Sequence, residues 1–598
     1  MRFSLMTVAG GAAADAMDFA FYLTRAAQLR DGLRRYSLTR GDFRLLNPNT
    51  STCPLFRTRA DAELARSVYG RVPVLVLEGN GRDADPWEVR FLRMFDMAND
   101  SGLFRTRKEL ERDGWRLQGS VFRKGSSRCL PLYEAKMLHQ FHHRFGTYEG
   151  VKSRSSTHLP TPDAARLADP GYCVLPWYWV EEGEVEAKLE KRDRRGSPVW
   201  SWDRGWLLGW RDITNATNER TVIAAILPRT AVGDKIPLLF PAAADARLTA
   251  CLLGVLNSLP LDYSARQKVG GTNLTLFYLK QLPVLPPWAF GREAVLFIVP
   301  RVLELVYTAH DIRAFADDVW QEADPALRAE LERFWRENRR EAGGASAAPA
   351  PAEDGCPLPP FVWLEDRRAR IRAELDAYLA AMYGLGRKQL RYILDPRGLS
   401  EAELRDILDP WEDPTCSGPH LLPDAPAEEF PGETFRVLKE REEREHGEYR
   451  TRRLVLEAWQ RLSAEGLLPE PYDMRQDPRY QALLSQAGAS QPQAQARPAP
   501  RPSARVSAPD PPARPPAPAP RQPSGTPAAQ GPCGVGARVL VSGRFRGVVR
   551  AVEPEAQPSL GLDGSVPRLR YTVALEGTGE LKKFVAPPAD IRPLDADA

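Results

Sequence analysis

Three prolines, Pro283, Pro286 and Pro287, close the stretch Asn257–Pro287 and stop any regular element that enters it. An apolar run, Cys251 to Leu256, leads in. A polar, basic loop follows, with Gly270-Gly271-Thr272-Asn273 at its tip. Leu274, Leu276 and Tyr278 then alternate as they would in a strand. Paired glycines allow a backbone to pass close to another polymer because no Cβ intervenes. Arg266, Gln267, Lys268, Thr272 and Asn273 offer the donors that phosphates and base edges accept. The same residues would also serve a hairpin turn with a solvated rim.

The rest of the chain has room for several such units. Its 598 residues suggest about three or four domains. Hydrophobic residues make up 43% and charged residues 27%, as in ordinary globular proteins. The 82 basic and 78 acidic residues leave a net charge of +4, so no excess of charge argues for a polyanionic partner. The cysteines are scattered without a Cys-x-x-Cys pair, which argues against a zinc finger and for a reducing compartment. No apolar run approaches the roughly 20 residues of a membrane span. The opening MRFSLMTVAGG resembles a strand more than a signal peptide, so the expected location is cytoplasmic, without membrane contact.

Along the chain, AMDFAFYLTRAAQLR (16–30) is expected to contain a helical piece and 43–56 a turn-rich loop. Thr58 and Asp61 form a capping box for a helix whose apolar face is Ala62, Ala65, Val68 and Tyr69. Arg71 to Leu77 is a candidate buried strand. In Leu130–Gly150, His139 and His143 are four apart and could share one side of a helix, either as a solvated face or against a phosphate. Asp169, Glu186 and Lys188 superficially match the carboxylate–lysine set of metal-dependent nucleases, although the null alternative is a charged connector. A tryptophan-rich segment runs into Asp212–Thr221, where Asn215, Thr217, Asn218 and Arg220 suit either base edges and phosphates or a capping turn. Val222 to Leu227 then forms a buried strand.

The period predicts helices over 293–340, with Pro300 a kink or restart, and a helix pair over 361–395 that carries Arg367, Arg368, Arg370 and Arg372. Ser400 with Glu403 opens a short capped helix, and Glu433–Leu462 is one long helix. Gln491 to Gln530 is rich in Pro and Ala, with five arginines and one aspartate, and is expected to be an extended tether. Val535–Pro593 has short alternating strands and Gly turns, which suggest an SH3- or Tudor-like barrel. The expected class is therefore α+β. Its expected domains are a mixed α/β recognition-like domain over 1–290, a helical segment over 291–342, a linker over 343–360 and a helical region over 361–485. A tether over 486–532 and a barrel over 533–598 complete the chain.

Five ordered segments carry a resemblance. They are FRLLNPNTSTCPLFRTRADAELARSVYGRVPVL, DPWEVRFLRMFDMANDSGLFR, PLYEAKMLHQFHHRF, WLLGWRDITNATNERTVIAAILPR and ARQKVGGTNLTLFYLKQLPVLP. Together with HDIRAFAD (310–317) and GEYRTRRLVLEAW (447–459), they resemble the C-terminal target-recognition half of large adenine-N6 DNA methyltransferases. Such enzymes occur as fused restriction–modification enzymes and in phage-defence systems such as DISARM. The likeness covers roughly residues 1–465. It implies contact with double-stranded DNA through Arg266, Lys268 and Gly270 to Asn273, and through Asn215, Thr217, Asn218 and Arg220.

That family's catalytic motif is Asn/Asp-Pro-Pro followed by Tyr or Phe, and this chain departs from it. Asn47-Pro48 leads to Asn49 and Asp85-Pro86 to Trp87. Asp510-Pro511-Pro512 ends in Ala513, and no other NP or DP pair fits. The nearest glycine-rich turn, Glu78-Gly79-Asn80-Gly81, opens no clear helix. The resemblance therefore implies no catalytic residue, cofactor site or metal site here. S-adenosylmethionine would sit on a catalytic methyltransferase subunit, and other defence proteins could dock on the terminal barrel. An interaction or scaffold protein, or a truncated remnant of such an enzyme, is the alternative.

Overall fold

The computed structural model describes residues 15–32, 34–79, 82–156, 158–344, 355–395 and 434–488, and five C-terminal strands between 538 and 593. The chain divides into two compact units, residues 14–496 and a second unit that contains the C-terminal strands. The larger unit is a mixture of helices and mainly antiparallel sheets, an α+β fold.

Its centre is the run Trp206–Trp210, in which all five residues are buried. A short apolar run of this kind suits a strand covered on both faces. It pairs antiparallel with Ala224–Pro228 on one side and Leu238–Phe240 on the other, and Arg90–Leu92 completes the four-stranded sheet. Gly209 is needed here, because a Cβ would lie 2.7 Å from Ile236 Cγ2. The buried indoles keep their N–H groups bonded: Trp206 donates to Asp318 (2.7 Å) and Trp210 to the Leu274 carbonyl (3.1 Å). A second sheet runs Arg105–Thr106, Tyr178–Glu181, Ser127–Tyr133, Val121–Lys124 and Arg116–Gln118, with Ala231–Val232 parallel to Ser127–Tyr133.

Helices cover the central sheet. Ala246–Leu256 packs on Arg292–Val306, with Gly254 facing Ile298 and Val302. Helix Arg292–Val306 runs through Pro300 without restarting. The pair Glu365–Met382 and Arg387–Leu394 forms as expected, and Arg450–Ala464 lies along the first of them. One continuous core links Ala60 to Leu462, so sheet and late helices share a single apolar interior. A smaller core joins Tyr36–Ala84 to Met474–Ala487.

Thr58 caps Arg59–Arg71 through the expected box, and the buried Asp61 carboxylate also accepts from Tyr263 at 2.6 Å. Residues Val72 to Leu77 are buried and extended. They pair through single backbone bonds, Leu75 to Leu282 (2.9 Å) and Val284 to Pro73 (2.9 Å).

Four expectations are corrected. Residues 16–30 form strand Ala16–Phe19 and one 3-10 turn, Ala26–Arg30; pairing with Tyr36–Thr39 and stacking of Phe19 on Tyr36 outweigh helix propensity. The 43–56 loop begins inside a helix, Arg40–Leu46, capped by Thr39. Leu276–Leu279 is a helical turn, because docking of Leu282 and Val284 on 73–75 turns the chain before a strand can form. The long helix breaks into Arg436–His446 and Arg450–Ala464 at Gly447, whose φ of +73° is the usual left-handed helix terminus.

In the C-terminal unit the strands form an antiparallel sheet in the order Leu581–Ala586, Leu569–Leu575, Phe545–Pro554, Arg538–Val541 and Ile591–Pro593. The Ser400 helix and the tether lie outside the described residues. Among the described residues, no helix is long and apolar enough to cross a membrane.

Candidate nucleic-acid interface

Asp262 and Arg266 sit one turn apart on helix Leu259–Arg266, and both are buried. The Asp262 carboxylate accepts from Arg266 Nε (2.9 Å) and from the backbone N–H groups of Thr221 (2.7 Å) and Val222 (2.6 Å). The two terminal nitrogens of Arg266 donate to the carbonyls of Ala216 (3.0 Å), Thr434 (2.8 Å), Asn218 (2.8 Å) and Glu219 (2.7 Å). The planar guanidinium also stacks over Phe435, 4.3 Å from the ring centroid. This clamp fixes the 215–220 loop from beneath.

The tip of the other loop joins the same structure edge to edge. Leu274 N–H donates to the Asp212 carbonyl (2.7 Å) and Thr214 N–H to the Thr272 carbonyl (2.9 Å), with Ile213 opposite Asn273. Two loops separated by some fifty residues in sequence are therefore one continuous rim. Asn215 closes an Asx turn by accepting from the Thr217 amide (2.8 Å) and hydroxyl (2.9 Å), which leaves Thr217 and Asn218 outermost. Gly270, Gly271 and Thr272 are exposed, and Asn273 is half-buried. A Cβ on either glycine would meet nothing within 4 Å, and neither glycine has positive φ. The fold itself does not require glycine at these two positions.

The ten residues expected to touch DNA thus separate by position. Gly270, Gly271, Thr272, Asn273, Asn215, Thr217 and Asn218 form the rim. Arg266 lies inside, with its donors engaged by the chain's own carbonyls. Lys268 turns inward as well. Its ammonium donates to the Leu46 carbonyl and to Asn47 Oδ1 and lies 4.7 Å from the Tyr69 ring centroid, and burial pushes its pKa down to about 7. Arg220 is buried behind the loop. The expectation that these three cations face a polymer at the rim is corrected: each is drawn beneath the loops, where carbonyls, carboxylates and rings surround it. The sequence reading missed Ile213 and Phe277, which are 53% and 52% exposed beside the rim residues. It also missed Asp262, whose i,i+4 spacing to Arg266 was legible once a helix is assumed.

The other candidate chemistry is not assembled. Glu186 pairs with Arg229, Lys188 with Asp100 at 3.5 Å, and Asp169 accepts from the Gly171 amide. Among the described residues, no cluster of His, Cys, Asp and Glu could hold a metal. His139 and His143 do not share a helix. Residues His139–His142 form a tight turn with reciprocal backbone bonds of 2.8 and 2.9 Å, and His143 Nε2 meets Asp311 at 2.9 Å.

Burial first, and then neighbouring arginines, hold His139 and His142 well below the usual imidazole value. The unfolded chain takes up those protons near pH 6.5 while the folded state refuses them, so their contribution lowers stability as pH falls below about 6.5. For buried His142 the slope should approach about 1.4 kcal/mol per pH unit, with less for the partly exposed His139. Urea midpoints of wild type and His142→Gln, measured from pH 7.5 to 5, should diverge in that sense. Parallel curves would show that His142 is charged in the folded state.

Compared with known proteins, the sequence matches no family model and no curated protein.

Proposed function

We propose that this chain is the DNA-recognition part of a site-specific adenine-N6 DNA methyltransferase of a restriction–modification or phage-defence system. It binds duplex DNA and docks on a separate catalytic subunit that carries S-adenosylmethionine. The reading is supported by the rim, where hydroxyl and amide groups surround two exposed glycines that the fold does not need, with Ile213 and Phe277 beside them. Polar groups of this kind satisfy base edges, and an exposed apolar side chain can wedge against a base step. In the C-terminal unit, Ile591–Pro593 returns to pair with Arg538–Val541, as an SH3- or Tudor-like barrel would require, and we assign that unit to recruiting further defence proteins.

The test is fluorescence anisotropy of a labelled duplex against the purified chain across a salt series. Affinity should fall with salt by about 0.9 log units per log salt for each phosphate neutralised. S-adenosylmethionine should not bind the isolated chain, and methyl transfer by this chain alone would end the split-subunit reading. The exposed Ile213 and Phe277 also suit a non-catalytic interaction protein, which becomes the better reading if no duplex binds.

A further inference from the structure

Behind the rim lies a group of cations that the chain's own acids do not balance. Arg220 is the clearest member. Its side chain is 8% exposed, and its nearest carboxylate oxygen, on Asp376, is 3.7 Å away, beyond hydrogen-bond reach. One terminal nitrogen is buried with no partner at all. Leaving a guanidinium donor dry is costly, and folded proteins rarely tolerate it without a use.

Its neighbours are of the same sign. Arg372 lies one turn before Asp376 on the same helix, is 35% exposed, and has only a long 3.4 Å contact to Glu365. Arg211 donates Nε to the Ala135 carbonyl (2.6 Å) and has no carboxylate beside it; burial alone lowers its pKa to about 10. His139 and Arg211 flank the same ring, Phe145, at 4.8 and 5.9 Å. Arg211, Arg372, Arg441 and Arg220 all act on His139, which places that imidazole where their fields meet.

The nearby acids are already engaged. Glu219 takes Arg441 at 2.7 Å, Asp262 takes Arg266 and two amides, and Asp376 accepts the Leu259 amide at 2.7 Å. The turn that presents His139 is also strained: Phe141 has φ +58°, a region costly for a bulky residue. It is held there by its amide on the Ala224 carbonyl (3.1 Å) and by Gln140 on the Val222 carbonyl (2.8 Å), two residues beyond Arg220.

We propose that Arg211, Arg220, Arg372 and His139 form a binding site for a phosphate group. Guanidinium forks arriving from different elements suit a tetrahedral acceptor with several oxygens better than a two-oxygen carboxylate. The phosphate is either that of a free ion or mononucleotide, or a phosphodiester of a nucleic acid. The site stands on its own unpaired cation and does not require the rim to read DNA.

The full chain would be titrated calorimetrically with sodium phosphate and with AMP, against sodium chloride at matched ionic strength. Anisotropy on a duplex without terminal phosphates would be run in parallel. Wild type, Arg372→Gln, Arg211→Gln and Arg220→Met would be compared. Arg372 and Arg211 are partly exposed, so their variants keep the fold testable should Arg220→Met not fold. Saturable phosphate or AMP binding, weakened at least about tenfold in Arg372→Gln and Arg211→Gln at unchanged melting temperature, supports a free-phosphate ligand. No response to phosphate or AMP, with duplex affinity lowered to the same extent in those variants, identifies the phosphodiester. Phosphate binding without duplex binding retires the DNA reading and leaves the site. Phosphate no better than chloride, with duplex affinity equal in all variants or absent, overturns the site.

Discussion

Replacing Arg266 with alanine is expected to cost the folded state about 3–5 kcal/mol, the range for breaking a buried, hydrogen-bonded ion pair on one side. Two effects combine. Asp262 would remain fully buried without its countercharge, and four carbonyls, those of Ala216, Asn218, Glu219 and Thr434, would each lose a donor. Arg266→Lys should recover less than half of the loss, since one ammonium has three donors and cannot span five acceptors in a plane. Urea unfolding of the three proteins would measure this directly. A loss below about 1 kcal/mol in the alanine variant would show that water replaces the guanidinium and that the clamp does not hold the loop. The same experiment bears on function, because the 215–220 loop takes its shape from this residue. Any effect of Arg266→Ala on DNA binding would therefore be a loss of loop order and not of a phosphate contact.

The glycine pair makes the opposite prediction. Gly270→Val with Gly271→Val should leave stability within about 0.5 kcal/mol of wild type, as for surface positions free of special backbone geometry. Both sites face open space at negative φ, so the fold has nothing to resist the added side chains. Duplex affinity should nevertheless fall by at least about tenfold, because two branched side chains would hold the backbone away from the polymer it approaches. Phe277→Ala in the same assay would report whether the exposed ring takes part. Unchanged duplex affinity in a folded double-valine variant would place the interface elsewhere on the surface. Stability lost together with affinity would mean that the loop has an internal packing role.

What was legible in the sequence was local. The Thr58–Asp61 capping box, the buried Ala62–Tyr69 face, the strand after Val222 and the 361–395 helix pair all follow from spacing within a dozen residues. The two loops were also visible as clusters of Gly, Asn and Thr, because turn chemistry is written in the residues that make the turn.

Tertiary structure alone decided which way the charged side chains face. Arg266, Lys268 and Arg220 sit in segments that look like basic loop in one dimension. Each turns inward because carbonyls or carboxylates from residues far along the chain, Leu46, Thr434 and Asp376 among them, lie within its reach. A cation's partner is a fact about distance in space, and in a sequence those partners are about 150 or more residues away. The joining of Ile213 to Asn273 is of the same kind: each loop could be read alone, but only the packing of helix Leu259–Arg266 behind both makes them one surface.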